Sequence, residues 1–197
     1  MILYLSIITV CVSIIATLVT LIYNAEFLPV LGYTALAVIV VILVDIIIAT
    51  IARLLPKKCA NHEKKVYIVS AKEKKFYEKL KIRKWKDYVP EIGHFTGFRK
   101  NKIADPKSVE YLNRFLLEIC YGEIGHFFCL FFGFAILLMY PLTETWFAIS
   151  IPVAIVNVLL NLPSLFILRY NSYKLVILRN STIKKQSREK KTAENQE

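Results

Sequence analysis

Paired cysteines are missing from this chain. The four that occur, Cys11, Cys59, Cys120 and Cys129, have no CxxC spacing, and three lie inside or beside hydrophobic runs, which excludes a disulfide framework. Cys59-Ala-Asn-His62 offers two zinc ligands, but no second pair has suitable spacing, and a structural zinc site needs four. Histidine is equally scarce, at three: His62, His94 and His126. Two Glu-x-x-His pairs occur, Glu91-Ile-Gly-His94 and Glu123-Ile-Gly-His126, but the first lies in the basic segment between apolar runs, whereas a diiron bundle sets both pairs on core helices beside two further Glu ligands. A Gly-x-Ser-x-Gly nucleophile elbow is also missing. The expectation is therefore chemistry without a metal or another cofactor.

Two links contain no Lys or Arg at all, Asn24-Ala-Glu26 and Tyr140 to Thr145. They separate long apolar runs. Ile2 to Tyr23 gives 22 residues broken only by Ser and Thr, and about 20 suffice to cross a bilayer core. Phe27 to Leu55, Ile124 to Tyr140 and Trp146 to Tyr170 supply three more spans. No basic start or small-residue cleavage site marks the first run as a signal peptide. The fold class expected is an all-α integral membrane protein of four transmembrane helices. Its organisation reads as a transmembrane hairpin (1–55), a basic segment (56–107), a second transmembrane pair carrying the site (108–175) and a charged disordered tail (176–197).

From Lys57 to Lys107 there are 16 Lys or Arg against 6 Asp or Glu, and the tail from Lys174 onward has seven cations. By the positive-inside rule both regions are cytoplasmic, so both termini are cytoplasmic in a multi-pass protein of the cell membrane. The net charge of +11 flanks hydrophobic spans and comes with no recognition motif, so it points to lipid headgroups and not to nucleic acid. Within the basic segment, Val66 to Ser70 reads as a short strand and Lys72 to Leu80 as a charged helix. Arg83-Lys84-Trp85-Lys86 suits either a headgroup interface or a receptor for a phosphorylated donor such as acyl-CoA. Gly93, Gly97 and Phe98-Arg99-Lys100 read as a loop that approaches a ligand or simply turns. Ser108 is a candidate cap for a helix in which Tyr111, Phe115 and Ile119 lie along the membrane surface before the third span.

The candidate site is Glu118-Ile-Cys-Tyr-Gly-Glu123-Ile-Gly-His126. At about 100° per residue, Glu118, His126 and Glu123 fall within an arc of roughly 140°. Ionisable groups in a membrane segment face a bundle interior or a cavity and point to function. Asp45 interrupts the second span and serves either the site or helix packing. Asn157 and Asn161 share a face of the fourth span, which ends in Arg169-Tyr170-Asn171. These groups allow acyl transfer: His126, oriented by Glu123 or Glu118, takes a proton from an alcohol, and Arg169 and Asn161 stabilise the oxyanion. The rival reading is a non-enzymatic scaffold whose buried polar groups specify helix packing.

The order Arg83-Lys84-Trp85-Lys86, Glu118-x4-Glu123-x2-His126, Asn161-x-Pro163 and Arg169-Tyr170-Asn171 resembles the glycosyl-4,4'-diaponeurosporenoate acyltransferase family over Phe76 to Leu175. The resemblance implies transfer of a fatty acyl group to a sugar hydroxyl of a glycosylated C30 carotenoid or related glycolipid. It implies catalytic His126, Glu123 and Glu118. It also implies substrate contacts from Arg83, Lys84, Trp85, Lys86, Asn157, Asn161, Arg169 and Asn171. The chain departs from the family pattern at Tyr121 and Leu168 and carries an additional N-terminal hairpin.

Overall fold

The structure is a computed structural model that describes residues 2–89, 103–139 and 141–194. The Gly93, Gly97 and Phe98-Arg99-Lys100 loop and His94 lie outside the described residues. The elements in order are α1 (Ile2–Tyr23), α2 (Phe27–Leu54), α3 (Ala71–Lys79), α4 (Ile82–Trp85), α5 (Val109–Phe132), a 3-10 helix (Gly133–Leu138) and α6 (Trp146–Glu194). Among the described residues, four helical stretches are long and apolar enough to cross a membrane: Leu5–Tyr23, Phe27–Leu54, Val109–Leu138 and Trp146–Glu194. The chain is thus an all-helical, multi-pass membrane protein. It divides into two compact units, Met1–Leu54 with Ile124–Ser164, and Leu55–Glu123 with Leu165–Glu197.

In the first unit α1 and α2 form a tight hairpin. Asn24 takes the left-handed conformation (φ 49°), which Asn tolerates because its short polar side chain can hydrogen-bond locally. Ala16 and Ala37 are fully buried, and small side chains at such positions let helices approach where no hydrophobic effect drives association. Ile15, Val19, Val30 and Val41 meet Ile136, Trp146, Ile149 and Val153 in one core. Leu21, Ile22, Leu28 and Leu54 remain more than two-thirds exposed, as suits side chains in contact with lipid. The hydroxyls of Thr9, Ser13, Thr34 and Thr50 each donate to the carbonyl four residues back, which satisfies them without leaving the helix.

In the second unit, Ser70 caps α3 by accepting the Glu73 N–H at 3.1 Å. Lys81 then takes a left-handed turn (φ 54°), and the Trp85 indole N–H donates to the Leu80 carbonyl at 2.9 Å. One cluster joins Leu112, Phe115, Leu116, Ile119 and Leu175, and another joins Val69, Tyr77, Ile82, Ile167 and Tyr170. Ser108 caps α5 as its sequence suggests, with its Oγ accepting the Tyr111 N–H at 3.1 Å.

Three expectations change. Val66 to Ser70 is turn and irregular chain, because the N–H groups of Tyr67 and Ile68 are taken locally by Lys64 and Lys65 carbonyls. The surface role for Phe115 and Ile119 gives way to burial, since α5 runs unbroken and packs them against Leu175. Residues 176–194 are helical, where composition suggested disorder. No Gly or Pro follows Pro163 to stop α6, and Lys, Arg, Gln and Glu are good helix formers.

Candidate functional site

Four polar side chains converge within the first unit. Asp45, half-buried on α2, accepts Asn161 Nδ2 at Oδ2 (3.0 Å) and Asn157 Nδ2 at Oδ1 (3.4 Å). Asn157 also donates to the Cys129 carbonyl at 3.1 Å, and its own Oδ1 accepts Asn161 Nδ2 at 2.9 Å. His126 Nδ1 lies 2.8 Å from Asn161 Oδ1. The one-turn spacing of 157 and 161 lets the two amides share one carboxylate.

The direction of each bond follows from donor and acceptor capacity. Asn161 Nδ2 faces three acceptors, Asp45 Oδ2, Asn157 Oδ1 and the Asn157 carbonyl, which fixes that end of the amide as the nitrogen. Its oxygen therefore faces His126, and the hydrogen on the ring sits at Nδ1. Nε2 is left with its lone pair. A carboxylate thus orders an amide, and the amide orders an imidazole, the same logic by which His-Asn pairs hold a base in one tautomer.

Backbone geometry protects this cluster. A Cβ at Gly133 would meet Asn157 Nδ2 at 2.4 Å, so only glycine admits the amide there. Asn157 also occupies the Cys129 carbonyl, the acceptor that residue 133 would use in a continued α-helix, and from Gly133 the helix tightens to 3-10.

The second unit holds a separate charged clamp. Arg169 on α6 gives Nε and Nη2 to the two carboxylate oxygens of Glu73, and Nη1 to Glu123 Oε2 (2.9 Å) and the Val66 carbonyl (3.0 Å). Tyr77 donates to Glu73 at 2.6 Å. Burial pushes the Glu73 carboxyl up, but the hydrogen bonds from Arg169 and Tyr77 and the guanidinium charge outweigh it, holding Glu73 below its ordinary range. Burial and the bond to Glu73 push the Tyr77 phenol well up. Glu123 itself is 4% exposed.

Among the residues singled out from sequence, the structure joins His126, Asn157 and Asn161 in one network and Arg169 with Glu123 in another. His126 donates from Nδ1 to Asn161 Oδ1, and Glu123 Oε2 accepts from Arg169. Asn161 and Arg169 have their donors committed to neighbouring acceptors, so both orient other side chains. Glu118 is half-buried on α5 and Asn171 is buried on α6. Arg83 and Lys84 are exposed on α4, Lys86 is half-buried just beyond it, and Trp85 closes the turn after α3. The departures from the family pattern have local partners. The Tyr121 hydroxyl donates to the Leu55 carbonyl at 3.0 Å, and Leu168 covers Gly122. Sequence reasoning missed Glu73, Tyr77 and the Val66 carbonyl, and left Asp45 undecided.

A family model described as glycosyl-4,4'-diaponeurosporenoate acyltransferase matches residues 60–181. No curated protein matches the chain, and no solved structure does.

Proposed function

The chain belongs to the glycosyl-4,4'-diaponeurosporenoate acyltransferase family, and from that premise we propose that His126 is the general base of its acyl transfer. The family makes the chain an acyltransferase of carotenoid glycosides, with an acyl donor and a glycolipid acceptor. In our reading the acceptor is a sugar hydroxyl of a glycosylated C30 carotenoid or related glycolipid, and the donor is a fatty acyl thioester such as acyl-CoA.

The observation that carries this reading is the 2.8 Å bond between Asn161 Oδ1 and His126 Nδ1, which selects the neutral tautomer whose Nε2 carries the lone pair. His126 Nε2 takes the proton of the sugar O–H, and the oxygen attacks the acyl carbonyl. The new C–O bond forms, the C–S bond breaks, and the imidazolium returns its proton to the leaving thiolate. General base catalysis of this kind contributes about 10²- to 10⁴-fold. Asp45 and Asn161 are positioning residues that hold the tautomer. Arg169, Glu123 and Glu73 tie the segment after α2 to the membrane helices. Arg83, Lys84 and Lys86 form a cationic face for the phosphates of the donor. The cation-rich segments put both termini in the cytoplasm and the protein in the cell membrane.

The test is lipid mass spectrometry of cells producing wild type or His126→Ala at matched levels, supplied with glycosylated carotenoid. One acyl chain added to the glycoside by wild type alone is expected. Equal product from His126→Ala refutes the base assignment, and acylation of a different glycolipid refutes the carotenoid acceptor.

A further inference from the structure

The first unit contains a narrow cleft between α1, α2 and α6 that the polar cluster closes at one end. Centres of water-sized spheres have about 50 Å³ of room in it, within about 470 Å³ of non-atom space that includes its open mouth. The walls are aliphatic, among them Val12 and Ile15 on α1, Val38 and Ile42 on α2, and Val153 and Val156 on α6. Asp45 and Asn157 are its polar lining residues. From Asp45 to Val38 is seven residues of helix, so the cleft runs for about 10 Å at 1.5 Å per residue. Because α1 and α2 are antiparallel across a three-residue link, Ile8 lies at the level of Ile42, and Val12 lies at the level of Val38.

We propose that this cleft seats the acyl chain of the donor, with the carbonyl end at Asp45 and Asn157 and the distal carbons toward Ile15, Val38 and Val153. The inference rests on the acyl-transfer reading and adds where the chain lies and what measures its length. Three observations argue for this occupant. The cleft is walled by aliphatic side chains over about 10 Å, a lining that suits a hydrocarbon chain. Its only polar lining is at the end from which two hydrogen bonds, Asp45 to Asn161 and Asn161 to His126, lead to the base. Finally, the reaction requires an apolar chain whose reactive end leaves the cleft on the side of the base, past Asn161. Two-thirds of the cleft's lining residues come from α1 and α2, which precede the residues matched by the family model (60–181). The N-terminal hairpin is therefore a specificity element of this chain: it contributes the chain-binding walls and the carboxylate that orders the family's His and Asn residues.

The experiment uses the full chain in lipid nanodiscs, given glycosylated carotenoid and an equimolar mixture of saturated acyl thioesters of graded length. Products are resolved by mass spectrometry. Val38→Phe and Val12→Phe fill the cleft and shift the product profile toward shorter chains. A methylene or two in a hydrophobic pocket changes selectivity by on the order of tenfold or more, and a phenyl ring removes the space for several. Val38→Ala opens the cleft and shifts the profile the other way, toward longer or methyl-branched chains. This variant keeps the test decisive where a filling variant fails to fold. Ile39, 54% exposed and outside the cleft, is the control, and Ile39→Phe keeps the wild-type profile. A profile that is the same in wild type, Val38→Phe, Val12→Phe and Val38→Ala overturns the assignment and makes the cleft a seat for a bilayer lipid tail. If wild type acylates the glycoside and the profile ignores all three substitutions, only the cleft falls. If wild type transfers no chain, the functional reading falls as well.

Discussion

Replacing Asp45 with Asn keeps the shape of the side chain and removes an acceptor that two amides share. In the native cluster both carboxylate oxygens accept, one from Asn161 and one from Asn157. An amide at position 45 has a single acceptor for two donors, so one contact becomes nitrogen against nitrogen. Turning Asn161 over relieves it, against the pull of the Asn157 oxygens, and the turned amide points its Nδ2 at His126 Nδ1. The ring hydrogen then moves to Nε2, and the base loses its lone pair. A hydrogen bond to a charged group is worth about 1.5–3 kcal/mol and a neutral one about 0.5–1.5 kcal/mol. The preference for the productive orientation therefore falls by roughly 1–1.5 kcal/mol, close to a tenfold change in population. The assay is single-turnover acyl transfer in nanodiscs, with protein quantified by folded fraction. The expected result is a chemical rate down by on the order of tenfold in Asp45→Asn. Thermal stability is unchanged or higher, because the variant removes an ionisable group that is costly in a membrane helix. A packing role for Asp45 gives the opposite pair of results, lower stability with an unchanged rate per folded molecule. A rate within twofold of wild type refutes the relay.

Gly133→Ala puts a Cβ 2.4 Å from Asn157 Nδ2, so Asn157 must leave Asp45 and Cys129, and transfer falls by at least the Asp45→Asn factor. Gly125→Ala meets only ordinary contact with Ala49 at 3.9 Å and keeps wild-type activity, which makes it the paired control in the same assay. Arg169→Gln leaves two largely buried carboxylates, Glu73 and Glu123, facing a neutral amide. Breaking a buried pair in this way costs about 3–5 kcal/mol, so melting followed by Trp85 and Trp146 fluorescence shows a lower Tm. Arg169→Lys recovers only part of that loss, because one ammonium cannot reproduce the guanidinium fork. Glu73 has a folded pKa below its unfolded value, so the stability it contributes is complete above about pH 4.3 and is lost as pH falls through the lower folded value. Hydrogen exchange of the α3 amides is therefore constant from about pH 7 to pH 5, after correction for the intrinsic rate, and protection drops below about pH 4. Loss of protection on raising the pH within that range would contradict the sign.

What the sequence made legible follows from which interactions are periodic. The four spans are one-dimensional signals, apolar length bounded by cation-free links and cation-rich flanks, and the helices occur where those signals place them. The Ser108 cap and the charged helix after Ser70 are equally local, and both are present. The helical arc containing Glu118, Glu123 and His126 is local too, since α5 spans all three. An arc gives direction without naming a partner, and here the partners differ for two residues three apart: His126 bonds Asn161, and Glu123 bonds Arg169.

Those partners lie 35 and 46 residues away, and Asp45 lies 116 residues from Asn161, separations at which periodicity carries no information. Glu73 shows why the clamp stayed hidden. Ser70-x-x-Glu73 is a complete capping signature, which accounts for an acid at that position without invoking anything distant. The cap uses the backbone N–H of Glu73, while its carboxylate receives Nε and Nη2 of a guanidinium 96 residues along the chain. A local explanation that suffices for a residue thus masks a second use of the same residue. The corresponding signal lies at the other end: an arginine placed among apolar residues in a membrane helix calls for acceptors, either acids or backbone carbonyls. The acids available to Arg169 were few enough to test one by one.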